Sequence, residues 1–350
     1  MVSVVIHAGC YKTATSTIQA IAQKNRDRFL KNFGVLYPAT GARTNQGVPD
    51  PDSVAHHLLF HAANAIEEAT PQTANEAHSV FDATRSKLAA EVAKLRPPRI
   101  LISTELLSFS SQAVKARFLR YFDTTSDDVT VIYAVRRPDE MIDSMNNQML
   151  RAGRGRLRRK ELVEYKSDIE DWIALLGAER VRVLYFTKGR YDAYIRRVFA
   201  AGSVDIGADG VVTDVYANPP MSVSGHVVRA MIYDRVKAHN MTIDRALRHS
   251  LNMALAPIEA GLSPSPKMVT LGTADRTRIL ELNRPDVEAI REWLSPEDQA
   301  ALDEDFRQGL MGPHPEPNHN APAALGKDDL AVLIRGMMAE PTLRGLLADK

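Results

Sequence analysis

The chain has 350 residues, 45% hydrophobic and 25% charged, enough apolar surface for a large buried core in one or two domains. Its 44 basic and 43 acidic residues leave a net charge of +1, which excludes a global field for gathering nucleic acid or membrane, so any anion site has to be local. A single cysteine, Cys10, excludes a framework of internal disulfides and fits a reducing compartment. No run reaches the roughly 18 apolar residues of a membrane span, and the N-terminus lacks a basic region followed by a long apolar one, so the expected location is cytoplasmic.

In chain order, VSVVI (2–6) reads as a short buried strand, being β-branched and apolar after Ser3. Helical periodicity follows over 16–33. Residues 34–76 are mixed, with turn signals in YPATGARTNQGVPDPD and a helix expected over 54–69. A helix over 77–95, a strand RILIS (99–103), a strand VTVIYAV (129–135), a helix over 139–151 and a strand VRVLYF (181–186) come next. Strand alternating with helix implies a parallel sheet with helices on both faces, whose ligands sit at the carboxyl ends of the strands. From about residue 216 the pattern turns helical, over 222–239, 242–251 and 295–310. GPHPEPNHNAPAALG is a linker before a last helix over 327–347. The expected organisation is an α/β domain over 1–215 and a mainly helical extension over 216–350 packed on it, with no internal repeat.

The first strand runs into HAGCYKTATST (7–17), which places one cation and four hydroxyls between a strand and a helix. Such a turn offers unpaired N–H groups at the positive end of a helix dipole, suited to phosphate or sulfate. Lys12 adds a point charge, and Thr13, Thr15, Ser16 and Thr17 add donors. Capping explains the hydroxyls without a ligand but leaves the lysine unexplained. The nucleotide-binding pattern GxxxxGK[ST] is not met, because Lys12 stands three residues after Gly9 with Tyr11 directly before it. A second cluster, VIYAVRRPDEMIDSMNNQMLR (131–151), ends a strand in two arginines, opens a helix at Pro138 and places Ser144 eight residues beyond Arg136. The bland reading of Arg136 and Arg137 is a surface ion pair with Asp139 and Glu140.

IHAGCYKTATSTIQ resembles the 5′-phosphosulfate loop of sulfotransferases that use 3′-phosphoadenosine 5′-phosphosulfate (PAPS), in its bacterial and carbohydrate-directed form. The second cluster resembles that family's 3′-phosphate motif, and GVLYP (34–38), LISTELLS (101–108) and NPPMS (218–222) are similar to shorter blocks of it. The resemblance covers about residues 3–225 and implies a P-loop-like α/β fold with PAPS as co-substrate and no metal. It assigns Gly9, Lys12, Thr13, Ala14, Thr15, Ser16 and Thr17 to the phosphosulfate and Arg136 and Ser144 to the 3′-phosphate, with Arg137 as the alternative arginine. Ala14 departs from the pattern, standing where the family usually has Gly. If that position needs positive φ, Ala strains it.

Sulfuryl transfer places charge on the oxygen that leaves, so Lys12 is the expected stabiliser. The acceptor hydroxyl needs a base. Glu105, in STELL at the end of the second long strand, leads, with His56 and His57 in VAHHLLFH as competitors; a carboxylate that merely satisfies a helix N-terminus is the bland alternative for Glu105. His57 and His61 stand four apart, a zinc spacing with no convincing third ligand. His7 lines the strand end or packs in the core, and His314 and His319 lie in the linker. RAGRGRLRRK (151–160) is either a solvated face or the mouth for an anionic glycan or lipid headgroup; without interleaved aromatics it does not read as an RNA site. The reading is a PAPS-dependent sulfotransferase acting on a small-molecule or glycan acceptor, with no nucleic-acid partner. The alternatives are an atypical P-loop kinase or ATPase and a non-catalytic nucleotide-binding module.

Overall fold

The computed structural model describes residues 2–42, 44–45, 48–49, 55–126, 128–152, 161–215, 222–238, 245–312, 314–318, 325–339 and 343–344. Among the described residues the strands, in chain order, are β1 (Ser3–His7), β2 (Val35–Leu36), β3 (Thr44–Asn45), β4 (Val48–Pro49), β5 (Arg99–Ser103), β6 (Asp128–Arg136) and β7 (Val181–Phe186). Five of them form one parallel sheet in the order β2-β5-β1-β6-β7; β3 and β4 make a separate two-residue antiparallel pairing. The predicted strands at 99–103 and 181–186 match β5 and β7 in full.

The chain divides into two compact units. The first holds Met1–Met141, Leu162–Asn218 and Leu280–Leu310; the second holds Ile142–Glu161, Pro219–Ile279 and Met311–Lys350. The expected division is a single one, between 215 and 216. Segment 280–310 belongs to the α/β unit and 142–161 to the other.

The first unit also holds α1 (Thr15–Lys24), α2 (Arg26–Arg28), α3 (His57–Glu67), α4 (Ala74–Leu95), α5 (Gln112–Leu119), the start of α6 (Pro138–Arg151), α7 (Tyr165–Leu176) and α8 (Tyr191–Ala201). Period-two alternation sorts the strand side chains. Val5, Leu101, Ile132, Ala134, Leu184 and Phe186 share a core with Ile18 and Ile21 of α1 and Ile195, Val198 and Phe199 of α8. On the opposite face α7 packs on β6 and β7. There the fully buried Lys115 donates to Asp168 at 2.5 Å and Asp171 at 2.7 Å. Such a pair offsets its own desolvation only when both partners are present.

The single helix expected over 16–33 is interrupted at Asn25. The buried Asn25 side chain donates to the carbonyls of Ile21 (2.8 Å) and Val212 (2.9 Å) and accepts from the Val212 N–H. The amide thus accepts the chain at Val212 while it satisfies one carbonyl of the last helical turn, and the Val212 pairing is a stop signal of tertiary origin, invisible to local periodicity.

The second unit is helical among its described residues. It contains α9 (Val223–Ala238), α10 (Arg245–Ala260) and α13 (Lys327–Ala339), and its core joins Val228, Ile232, Leu251, Leu255 and Leu333. Helices α11 (Thr273–Ala289) and α12 (Pro296–Met311) cross the boundaries between the units. No described helix is long and apolar enough to cross a membrane.

Candidate functional site

Strand β1 is central, paired to β5 on one side with His7 opposite Ser103 and to β6 on the other with His7 opposite Ile132. The segments after β1, β5 and β6 therefore leave one edge of the sheet side by side, which is where a doubly wound sheet holds ligands. The loop after β1 first continues the pairing with β6, since Ala8 N–H donates to Ile132 O and Cys10 N–H to Ala134 O. It then turns through two left-handed residues, Lys12 (φ 69°) and Ala14 (φ 60°), into α1. This settles the conformation at Ala14: it is left-handed, at a cost of roughly 1–2 kcal/mol against Gly, partly offset because its methyl packs on the core.

The N–H groups of Thr13, Ala14 and Thr15 carry no hydrogen bond among the described residues. They stand at the N-terminus of a ten-residue helix. Thr15 Oγ1 is buried and likewise has no partner among the described residues, in a side chain only 5% exposed. An orphaned hydroxyl beside three orphaned N–H groups is the donor set an anion requires. The hydroxyls of Thr13 and Thr17 are engaged. Thr13 donates to Cys10 O at 2.7 Å, and Thr17 Oγ1 accepts from Tyr191 at 2.7 Å.

Gly9 is where the backbone needs a hydrogen side chain. A Cβ there would lie 2.7 Å from His7 Nε2, 3.1 Å from Thr13 Oγ1 and 3.2 Å from the Ala134 Cβ. The His7 ring does not yield readily, because it is fully buried and its Nδ1 lies 3.0 Å from Ser103 Oγ. Gly9→Ala is therefore expected to cost about 1–3 kcal/mol of stability by overpacking. Urea denaturation of the two proteins checks this, and equal midpoints would show that the ring moves freely.

Arg136, at the end of β6, reaches back to this loop. Its Nη1 donates to Lys12 O at 2.5 Å, its Nη2 to Glu140 at 2.8 Å, and its guanidinium lies 5.1 Å from the Phe186 ring centroid. The side chain is 5% exposed, and its Nε has no hydrogen-bond partner among the described residues. The ion pair expected as the bland alternative is thus present but buried, and the loop contact exists beside it. Arg137 takes the structural share. It pairs with Asp139 at 2.6 Å and donates to Asp305 O at 2.7 Å, fully within the scaffold. Ser144 lies half-buried on α6 in the second unit.

Glu105 opens the turn after β5. Its Oε1 lies 3.5 Å from His57 Nε2 and its Oε2 accepts from Gln19 at 2.9 Å, while about a fifth of the side chain stays exposed. Burial pushes the carboxyl up, but hydrogen bonding and charge from His57, its own backbone N–H and Gln19 outweigh this and hold it down at about 2. His57 is oriented from behind, with Nδ1 2.9 Å from Thr104 Oγ1. His56 points elsewhere. Its Nδ1 accepts from Ser103 N–H and its Nε2 lies 3.1 Å from Pro38 O, so both ring nitrogens are committed to backbone and burial lowers its pKa to about 4.

Among the described residues no group of three or more His, Cys, Asp or Glu is arranged to hold a metal ion; His61 packs edge-on against Phe60. Residues 153–160 of the basic stretch, Asn218 and His319 lie outside the described residues. Gln19 and Thr104 belong to the site although sequence reading does not single them out. The signal for Gln19 is an amide on the apolar stripe of α1, next to Ile18 and one turn from Ala22. Comparison with family models, curated proteins and solved structures returned no match for this chain.

Proposed function

We propose that this protein moves a sulfuryl group from PAPS to a hydroxyl or amine of a carbohydrate, glycolipid or other metabolite. One observation carries the reading. Arg136 and Lys12, 124 residues apart in the chain, meet at a 2.5 Å hydrogen bond beside a loop with orphaned donors, so the cation of the first cluster and the arginine of the second lie at one sheet edge. In the proposed reaction the orphaned N–H groups and Thr15 receive the phosphosulfate oxygens. Lys12 offsets charge on the bridging oxygen as the sulfur–oxygen bond to phosphate breaks. The acceptor oxygen bonds to sulfur as its proton passes to Glu105, an ionised carboxylate on the neighbouring strand end. His57, itself held by the Thr104 hydroxyl, backs that carboxylate.

Adenosine 3′,5′-bisphosphate, the product of the donor, is expected to raise the melting temperature by several degrees without magnesium, and ATP with magnesium by less. The reverse ranking supports a kinase or ATPase instead. Donor binding with no transfer to a broad acceptor panel supports a non-catalytic module.

A further inference from the structure

We propose that Gln19 is the positioning residue of the acceptor-side base, fixing the Glu105 carboxylate and tying it to the helix that begins at the anion loop. The role of Glu105 as base rests on the sulfuryl-transfer reading above; the pairing itself stands on geometry. Gln19 is 4% exposed, on the sheet-facing side of α1 and four residues after the orphaned Thr15. Its Nε2 donates to Glu105 Oε2 at 2.9 Å and lies 3.3 Å from Ser103 Oγ, which in turn meets His7 Nδ1 at 3.0 Å. An ionised carboxylate only accepts hydrogen bonds, so the amide must present its NH₂ here.

The two oxygens of Glu105 are thus gripped from two elements, Oε1 by His57 of α3 and Oε2 by Gln19 of α1. The other titratable groups facing this carboxylate are His7 of β1, Tyr11 of the anion loop and Tyr37 after β2. None of the three is charged near neutral pH: burial raises both phenols, which stay protonated and neutral, and lowers the imidazole to about 4. The Gln19 amide and His57 therefore do the orienting. A helix that starts at the donor loop and ends its first turns on the base gives the two halves of the reaction a common frame.

Gln19→Glu tests this with an isosteric change that turns the donor into a second carboxylate. Two carboxylates at this separation share one proton. The variant is expected to show a carboxyl titration with a midpoint at or above pH 5.5 in ¹³C-glutamate NMR spectra. That is more than tenfold in acid dissociation constant from an ordinary carboxyl near 4.3. The wild type is expected to show no such titration for Glu105 between pH 5 and 8. The exchanged pair, Gln19→Glu with Glu105→Gln, restores one amide and one carboxylate, so the titration disappears and the melting temperature lost in the single variant returns. A Gln19→Glu protein with no titration in this range, or an exchanged pair that recovers nothing, overturns the assignment. Stabilisation by adenosine 3′,5′-bisphosphate is measured on the same samples and is expected to be equal in all of them. If that nucleotide stabilises none while the titration and its rescue are seen, the pairing stands and the sulfuryl-transfer reading fails.

Discussion

Lys12→Ala is expected to lower sulfuryl transfer at least about 10³-fold while leaving stability within about 1 kcal/mol of wild type. The backbone makes this substitution unusually clean. Residue 12 is left-handed, and Ala carries the same Cβ as Lys, so the strain of that conformation is the same in both proteins. The carbonyl that accepts from Arg136 is retained as well, so the loop keeps its anchor to β6. On the proposed mechanism, what is lost is a positive charge beside the leaving oxygen, where a preorganised donor acts more strongly in the transition state than in the bound donor. Initial rates with PAPS and a panel of glycan and small hydroxylated acceptors, with urea denaturation in parallel, measure both quantities. Unchanged turnover in a folded variant removes Lys12 from the mechanism.

Acidification is expected to destabilise the protein steeply between pH 6.5 and 4, through His7 and His56. Both are fully buried, and burial, the largest cause in each case, lowers them to about 4; the charge of Glu105 opposes this at His7 and the hydrogen bond to Pro38 O opposes it at His56. In the unfolded chain each titrates near 6.5, so between the two values the unfolded state binds more protons and stability falls as pH falls. The loss is about 2 kcal/mol per histidine by pH 5 and about 3 by pH 4. Glu105, held at about 2, acts in a lower window, its stabilisation being lost as pH drops from its ordinary carboxyl range toward 2. Asp168, Asp286 and Asp305, raised by burial, push the other way within their own ranges. The discriminating measurement is a difference. His56→Gln keeps a hydrogen-bonding side chain without a titrating ring, and should flatten the stability change between pH 7 and pH 5 by about 2 kcal/mol. Parallel pH profiles for the two proteins would rule out His56 as a source of the acid sensitivity.

The main strands were legible because buried parallel strands are short, β-branched and continuously apolar, as in RILIS and VRVLYF, and two turns of apolar periodicity suffice for helices such as α4. The two-residue β2 and the break at Asn25 were not, since one depends on pairing with β5 and the other on the backbone of Val212, 187 residues away in the chain. At the site, the cation and hydroxyls of residues 12–17 and the arginines after β6 could be read from residue type and spacing alone. Which hydroxyl remains without a partner could not. Thr13 and Thr17 lose that role to Cys10 O and Tyr191, contacts that exist only after folding.

The order of residues determined the alternation of strand and helix, the charge and hydroxyl content of the loop after β1, and the double arginine after β6, because these follow from period, propensity and local chemistry. Folding decided the rest. It set the left-handed turn at Ala14, divided the labour between Arg136 and Arg137, retired His56 to the backbone of its neighbours, and brought Gln19 and His57 onto the two oxygens of Glu105. Each of those outcomes depends on a partner distant in the chain, and such partners are chosen by packing and burial rather than by any local signal.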